Sequence, residues 1–475
     1  MHNTVKIGLC AVVHPNMHGD DRGLYKKIIK SLEPLKEKLS FELYLVNEPL
    51  ESESDGVKAR NFFDDKRVDL TLIFNASLGY GRVVLPLAKV NSFIGLWSVP
   101  EPTKSGVLQL NSFCGLNMYG AIIANYLREY DIPFKWFYGY PESEMFLERF
   151  RVSLRSIRAV KALEASRIGL VGDIADGFEN FVFDERTLER KFGTYIQTRH
   201  TVEDIVGRAK AIQKNRVEKE LETILREGEW KKNRVSKEEM DKFARVNLSF
   251  LDFAKEFDYN ALCISCWSKF QEIYDIAVCG AMSRLNEAGI VAPCEGDVPG
   301  ALVMLALNAL TGNISTINDL VSLDEADSSI NMWHCGVASK SWACSNCVQW
   351  DAHFNIGNYE NDEWHGRGVI ADFDFQPGPV TVSRLNNSFD KLFVFQGNVM
   401  EGKESYYGAS GWINDLNMKG QSLNIPDLIN TIMVNHVDHH YPMVYGEVEN
   451  ELVEFAGWKN IAIAERIPYQ VFMQR

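Results

Sequence analysis

Two adjacent histidines near the C terminus, His439 and His440, are the first residues in this chain with the types and setting for metal chemistry. Three upstream segments carry further ligand types: Cys294-Glu295-Gly296-Asp297, Ile317-Asn318-Asp319-Leu320 and Trp333-His334-Cys335-Gly336. Carboxylate oxygens and imidazole nitrogens suit a hard or borderline divalent cation. Such a cation can hold neighbouring hydroxyl and carbonyl oxygens of a sugar while protons move between them. The pattern therefore predicts a metal site for aldose–ketose isomerisation.

Glu295 and Asp319 are the acids with the strongest case as ligands. Glu295 follows an apolar run and precedes a nearly apolar stretch, residues 299–310, beside which an unpaired carboxylate is costly. A metal would supply its countercharge. Asp319 stands before a predicted strand, whereas the other acids of that region crowd a predicted solvated hairpin turn, so Asp319 is the preferred ligand. These other acids are Asp324, Glu325 and Asp327.

The histidines are harder to assign from the residues alone. His334 follows the second strand of the predicted hairpin and lies across it from Asp319, which makes it a candidate ligand. His439 and His440 would point to opposite sides of an extended chain, so only one would face the ion. The other would support the site through a hydrogen bond. Alternation does not choose between them.

Residues that could contact a sugar lie on both sides of this set. Trp267 follows a strand-like run and could form an apolar wall, with plain packing an equally good interpretation. Lys269 offers a donor to a hydroxyl or an anionic group.

The elements that must position these residues fall into three regions. Residues 1–165 alternate short β-rich runs with amphipathic stretches, which predicts a parallel sheet covered by helices. Residues 166–312, which include Glu295, repeat an α/β pattern. Residues 313–475, which include Asp319, His334 and His440, consist of short β-branched and aromatic runs, typical of an antiparallel sheet or barrel.

Composition narrows the classes of protein to consider. A chain of 475 residues is long enough for two or three domains, and its net charge of -14 is spread without a basic tract, which argues against nucleic-acid binding. No run reaches the roughly 20 apolar residues of a membrane span, and the first residues read as a strand, so we expect a cytoplasmic protein. The nine cysteines favour buried thiols in a reducing compartment over a disulfide framework.

Five motifs together resemble those of the L-fucose isomerase and L-arabinose isomerase superfamily, most closely its shorter fucose-isomerase-like members. The similarity is clearest over residues 261–340 and 431–447 and weaker over 94–120. The motifs are Cys266-Trp267-Ser268-Lys269-Phe270, Cys294-Glu295-Gly296-Asp297, Asn318-Asp319, Trp333-His334-Cys335-Gly336 and His439-His440.

The resemblance implies a ligand set and an assembly. The cation would be Mn²⁺, with Mg²⁺ or Co²⁺ as alternatives, held by Glu295, Asp319 and His440, with His334 as a further ligand and His439 near the substrate. The fold would be two Rossmann-like α/β domains followed by a β-rich, barrel-like domain. The chain would form a trimer or hexamer with sites near subunit interfaces. Glu295 and Asp319 would serve as the acid/base pair through a metal-stabilised cis-enediolate.

Several alternatives stay open at this point. The substrate is an L-fucose-like or L-arabinose-like aldose, or a 6-modified hexose such as sulfoquinovose, for which Arg82 or Lys104 would serve the anionic group. A different class is a non-catalytic sugar-binding protein on the same fold. A structural zinc site is disfavoured because its two cysteine pairs lie far apart in sequence and the first sits in a strand. These pairs are Cys263 with Cys266 and Cys344 with Cys347.

Overall fold

The computed structural model describes residues 4–16, 23–344, 347–360 and 363–473. The chain forms two compact units, Met1–Arg158 and Ala159–Arg475. Residues 166–312 and 313–475, which the sequence assigns to separate domains, lie together in the second unit. Within the described ranges, every helix is too short or too polar to cross a membrane.

In the first unit, alternating strands and helices build a five-stranded parallel sheet in the order β2-β1-β3-β4-β5. Parallel neighbours need a crossover, and the amphipathic helices supply it. The elements are β1 Val5–Val12, α1 Leu24–Leu39, β2 Phe41–Leu45, α2 Glu53–Lys66, β3 Leu70–Asn75, α3 Gly81–Leu87, β4 Phe93–Ser98, α4 Ser112–Ala121, β5 Phe134–Tyr138 and α5 Glu144–Glu164, whose last residues, from Ala159 on, belong to the second unit.

Apolar side chains cover both faces of this sheet. In β1, Ile7 and Leu9 point into one core cluster, while Cys10 and Val12 point into the other. Successive side chains of a strand face opposite sides, so a strand buried on both faces is apolar throughout. This explains the unbroken apolar run at the start of the chain.

The second unit begins with a smaller α/β part, in which three parallel strands follow the order β7-β6-β9. Its longest helix, α9, starts at a capping box in which Ser236 and Glu239 bond each other's backbone amides. The elements are β6 Arg167–Val171, α6 Glu185–Phe192, β7 Tyr195–His200, α7 Val202–Ala211, α8 Lys214–Glu227, β8 Glu229–Trp230, α9 Lys237–Phe257, β9 Ala261–Ile264, α10 Lys269–Tyr274, α11 Cys279–Glu287 and α12 Val298–Thr311.

The rest of the unit is rich in β-strands, as predicted. Six antiparallel neighbours form a closed ring in the order β16-β17-β18-β11-β10-β20 and back to β16. The elements are β10 Thr316–Asp324, β11 Ser329–His334, β12 Gln349–Ala352, β13 Gly357–Glu360, β14 Glu363–Gly366, β15 Val369–Asp374, β16 Gly378–Leu385, β17 Lys391–Val399, β18 Ala409–Met418, β19 Gln421–Ser422, α13 Ile425–Val434, β20 His440–Tyr445, α14 Glu449–Trp458 and β21 Ala462–Ile463.

The fold thus confirms a mixed α/β architecture with parallel sheets and a β-rich C-terminal region. The predicted hairpin is present as β10 and β11. Asp319 was expected before the first strand but lies within it, because pairing with β20 extends β10 back to Thr316. In the apolar run before Glu295, residues 289–292, only Val291 pairs with a strand, in a single bridge with Ala261.

The cysteines also differ from expectation in one place. Cys344 and Cys347 are joined by a disulfide, whereas the sequence favoured free thiols throughout. Their Cα atoms are 5.6 Å apart, a separation within the ordinary range for a disulfide. A four-thiolate zinc site that combines this pair with Cys263 and Cys266 is therefore not formed.

Helix α11 packs so closely on β15 that its Gly280 leaves no room for a side chain. A Cβ there would lie 2.6 Å from the carbonyl oxygen of Val369. We expect Gly280→Ala to lower the free energy of unfolding by about 1–3 kcal/mol, because backbone must move to admit the methyl group. Urea unfolding followed by circular dichroism measures this.

Gly207→Ala is the matched control, since Gly207 lies in α7 with open space around its Cβ position. That change should leave stability equal or raise it by up to about 1 kcal/mol, the helix preference for alanine over glycine. Equal destabilisation by both changes would contradict the close approach of α11 to β15.

Candidate metal centre

Glu295 is held in a tight turn after the single bridge at Val291. Glu295 has a φ of 60° and Gly296 a φ of 76°, so two successive residues adopt the left-handed conformation. A side chain at Gly296 would meet the carbonyl oxygen of Asp173 at 2.5 Å, so glycine is required there by space as well as by backbone conformation. The turn is fixed further by the amide of Ala175, which donates to the carbonyl oxygen of Glu295.

Strand pairing brings the other predicted ligands together. β10 runs between β20 and β11, so Asp319 lies directly opposite His440 on one side and Trp333 on the other. Directly opposed residues of an antiparallel pair have neighbouring side chains. His334, the last residue of β11, completes a group in which Asp319, His334 and His440 offer ligand atoms within 4.8 Å of one another.

His440 is the centre of the arrangement. Its Nε2 lies 3.4 Å from Oε2 of Glu295 and 3.8 Å from Oδ1 of Asp319. Its Nδ1 lies 3.1 Å from Oδ2 of Asp297. A carboxylate can only accept, so Nδ1 carries the proton and Nε2 presents its lone pair. Three acceptor groups therefore face one another.

This cluster fits a bound cation. Oδ1 of Asp319 and Nε2 of His440 are buried, and neither has a hydrogen-bond partner among the described residues. Leaving such atoms unsatisfied is costly, and a cation between them would satisfy both. Adjacent ligands of an octahedral cation with bonds near 2.1 Å lie roughly 3 Å apart, close to the separations found here.

Asp297 accepts a hydrogen bond from Nδ1 of His440, on the opposite side of the ring from Glu295 and Asp319. It is fully buried, and its carboxylate accepts hydrogen bonds from the amide of Gly300 at the start of α12, from the Arg384 guanidinium and from Nδ1 of His440. Burial alone would raise the pKa of Asp297. The charge of Arg384 and the hydrogen bond from His440 outweigh burial and hold that pKa well below its usual range. Asp297 thus fixes both the tautomer and the orientation of the imidazole.

His334 points a donor at the site. Its Nδ1 accepts the backbone N–H of Cys335 at 2.8 Å, so in the neutral ring the proton is on Nε2. Nε2 is buried and has no hydrogen-bond partner in the described part of the chain. His334 offers one ring nitrogen within 4.8 Å of ligand atoms of Asp319 and His440. An N–H suits a hydrogen bond to a carboxylate or a substrate oxygen, and direct ligation of a cation by His334 stays a prediction.

His439 also reaches the site, although alternation predicted that only one of the two histidines would. Because β20 begins at His440, the backbone at His439 is not part of the strand. Nε2 of His439 lies 3.3 Å from Oε2 of Glu295, and its Nδ1 faces the amide nitrogen of Asn180 at 3.3 Å. The Phe181 ring stacks on His440 with centroids 4.7 Å apart.

Four other sequence candidates are exposed residues. Trp267 is 42% exposed, and Lys269 is exposed at the start of α10. Arg82 is exposed in α3, and Lys104 is exposed in the segment between β4 and α4; both belong to the first unit. The structure groups Glu295, Asp319 and the three histidines.

Three residues that contact the site were not predicted from the sequence to have a role there: Asp297, Arg384 and Phe181. Asp297 had a signal, because an acid two residues before Pro299 and an apolar helix is typical of an N-cap. Arg384 had one too, since a lone arginine in the apolar strand β16 needs a buried countercharge. Phe181 lies in a short 3-10 turn with no comparable pattern.

Comparison with known proteins points to one activity. No protein-family model matches the chain. A sulfoquinovose isomerase of Priestia megaterium is 27% identical over 375 residues, 77% of this chain and 78% of that protein. A second, from Alkalicoccus urumqiensis, is 27% identical over 78% of this chain and 80% of its own length. A third, from Clostridium sp. (strain MSTE9), is 29% identical over 76% of this chain and 78% of its own length.

These relatives, together with the acidic and imidazole site, assign the chain to a class of enzymes. It is an aldose–ketose isomerase of sugars. The enzyme class predicted from the residues is thereby confirmed.

The buried pair of Asp297 and Arg384 provides a test of the support around His440. We expect Asp297→Asn to lower the free energy of unfolding by about 3–5 kcal/mol, because it leaves the Arg384 charge buried without its partner. We also expect a 10- to 100-fold loss of Mn²⁺ affinity or activity, roughly the effect of losing a support for a ligand histidine. Urea unfolding and calorimetric titration with Mn²⁺ measure the two effects.

Asp324→Asn is the control for this change. Asp324 lies at the end of β10 and pairs with Lys403 on the surface, so its loss should leave stability and Mn²⁺ binding nearly unchanged. If Asp297→Asn behaved like this control, Asp297 would not hold Arg384 and His440 in the manner described.

Proposed function

We propose that the chain is a divalent-cation-dependent isomerase that converts sulfoquinovose, an aldose with a sulfonate on C6, into the corresponding 2-ketose. The names of the relatives support the substrate. The facing acceptors at His440 support the cation. L-fucose-like and L-arabinose-like aldoses are the alternative substrates.

The observation that carries the proposal is the lone pair of His440 Nε2, which faces the carboxylates of Glu295 and Asp319 at 3.4 and 3.8 Å. These three residues would hold the cation. An oxygen-rich set with one imidazole and no thiolate favours Mn²⁺ or Mg²⁺ over structural zinc. When bound, the cation would polarise the sugar carbonyl and stabilise the negative charge of the enediolate.

The two acids are suited to share the proton transfer. Isomerisation removes the proton on C2 and returns one to C1, so one carboxylate acts as base and then as acid, or the two divide these steps. General acid–base assistance of this kind is worth roughly a hundred- to ten-thousand-fold. Glu295 is fixed by its turn and by His439, and Asp319 by its place in β10, so both carboxylates are preorganised.

The remaining imidazoles would bind substrate oxygens. The Nε2–H of His334 is buried beside Asp319 and is free to donate to a sugar hydroxyl or carbonyl oxygen. His439 is partly exposed and already contacts Glu295, which places it to orient that acid and to contact the sugar. Trp267, Lys269, Arg82 and Lys104 remain predicted contacts for the sugar body and for the sulfonate.

The wider assignment is part of the same proposal. We place the chain with the shorter members of the L-fucose isomerase and L-arabinose isomerase superfamily. We expect a homo-oligomer, a trimer or hexamer, with sites near subunit interfaces. Light scattering coupled to gel filtration measures the assembly.

A substrate screen with metal-free protein tests the proposal directly. Protein stripped with a chelator and then reloaded with Mn²⁺ should form ketose from sulfoquinovose, with lower kcat/KM for L-fucose, L-arabinose and glucose. Protein without added metal should be inactive. Full activity of the stripped protein would remove the cation from the proposal, and sugar binding without ketose formation would favour a non-catalytic binding protein.

Glu295→Gln separates proton transfer from binding. Glutamine keeps the shape of the side chain but cannot act as base or balance a cation, so we expect kcat to fall by at least about a hundredfold. The fold should persist, because the Glu295 side chain is partly exposed and is not part of the apolar core. Glu325→Gln, in the exposed turn between β10 and β11, is the matched control and should retain wild-type kcat.

A further inference from the structure

Four cysteine sulfurs lie in a row, and two of these cysteines adjoin residues of the candidate metal centre in sequence. Sγ of Cys266 is 2.7 Å from Sγ of Cys294, and Sγ of Cys279 is 3.3 Å from Sγ of Cys335. The thiols of Cys294 and Cys335 interact as well, which links the two pairs. We call these four residues the thiol row. Cys294 precedes Glu295 in sequence, and Cys335 follows His334.

A soft metal ion is the first ligand to consider for such a group, and the geometry argues against it. Among the described residues, no three of these sulfurs lie within 4.8 Å of one another. The group of possible ligands that includes members of the row consists of two sulfurs, those of Cys279 and Cys335, and a ring nitrogen of His353. A thiolate metal site needs three or four ligands around one point. A row provides only pairs.

His353 does not complete a metal site either. Its Nδ1 accepts the backbone N–H groups of Asn355 and Ile356, at 3.1 and 2.9 Å. The proton of the neutral ring is therefore on Nε2. One ring nitrogen of His353 lies within 4.8 Å of the sulfurs of Cys279 and Cys335. An N–H cannot ligate a cation, but it can donate a hydrogen bond to a sulfur. Nε2 of His353 is buried and has no hydrogen-bond partner in the described ranges.

We propose that the thiol row is an oxidation site, in which one equivalent of hydrogen peroxide joins Cys279 to Cys335 and a second equivalent joins Cys266 to Cys294 as disulfides. Cys335 is the member with some solvent exposure, so reaction begins there. Its thiolate attacks the peroxide oxygen, the O–O bond breaks, and a sulfenic acid and hydroxide form. The Cys279 thiol then attacks that sulfur, forms the S–S bond and releases water. A dithiol reductant reverses the reaction by exchange.

Closing the pairs requires only small movements. A disulfide bond is about 2.05 Å long, so the Cys279–Cys335 pair must close by about 1.2 Å and the Cys266–Cys294 pair by about 0.6 Å. Because Cys335 and Cys294 adjoin His334 and Glu295, these movements are transmitted to the two site residues. Misplacement of reacting groups by about 1 Å can cost roughly a hundredfold in rate, so oxidation would lower the isomerase activity reversibly.

Peptide mass spectrometry of the full-length protein tests the site without reference to activity. The protein is reduced, freed of reductant, treated with hydrogen peroxide, alkylated and digested. We expect linked peptides that join Cys279 to Cys335 and Cys266 to Cys294. Cysteines of the row that carry only sulfinic or sulfonic acid, or that hold zinc resistant to chelation, would overturn the proposal.

Activity measurements test the consequence for the site, which rests on the proposed function. Peroxide should lower the kcat/KM of the wild type 10- to 100-fold, and dithiothreitol should restore it. The Cys279→Ser/Cys294→Ser variant removes one partner from each pair and should lose this sensitivity, each protein being compared with its own untreated sample. The Cys114→Ser/Cys263→Ser variant lacks two cysteines outside the row and should keep it.

The two readouts distinguish the two proposals. Linked peptides with no isomerase activity in any sample would leave the oxidation site standing and reject the proposed function. Equal activity loss in the Cys279→Ser/Cys294→Ser variant would show that peroxide acts elsewhere and would reject the link between the thiol row and the site. Urea unfolding of both variants shows that each retains its fold.

Discussion

Mutual repulsion among three acceptors is the constraint on which the site depends. Glu295, Asp319 and His440 come from different parts of the chain, and each presents an oxygen or a nitrogen lone pair to the same small space. Such an arrangement costs free energy unless a cation fills the space, so the fold must hold it in place. The antiparallel pairing of β10 with β20 and the turn at Glu295 provide that restraint.

Asp297 and Arg384 show how the closed ring of strands and α12 together hold the site residues in place. Asp297 caps the helix, accepts from the imidazole and balances an arginine that projects from β16, so one carboxylate ties together three elements. A buried ion pair of this kind adds little net stability, because desolvation offsets much of the attraction. The pair instead orients His440: it fixes the proton of His440 on Nδ1 and leaves Nε2 as an acceptor that faces Glu295 and Asp319.

The sequence predicted most of the architecture and much of the cluster, for physical reasons that are visible in particular residues. Apolar runs indicated the parallel strands, and the pattern from residue 313 indicated antiparallel ones. Strand pairing does not follow from local pattern, however, so Asp319 was placed before its strand although β20 extends that strand past it. His439 was separated from His440 by alternation that applies only inside a strand. The lone Arg384 in an apolar strand signalled a buried countercharge, but that this countercharge is Asp297 follows only from the three-dimensional structure.

His440 and His334 carry their protons on different ring nitrogens. His440 donates at Nδ1 to Asp297, so its inward atom is an acceptor, whereas His334 accepts at Nδ1 from an amide, so its inward atom is a donor. Two imidazoles whose ligand atoms lie within 4.8 Å of each other therefore have opposite roles. In the proposed cation-dependent mechanism both would be used: His440 would bind the cation, and His334 would stabilise a substrate oxygen whose charge changes as the proton moves from C2 to C1.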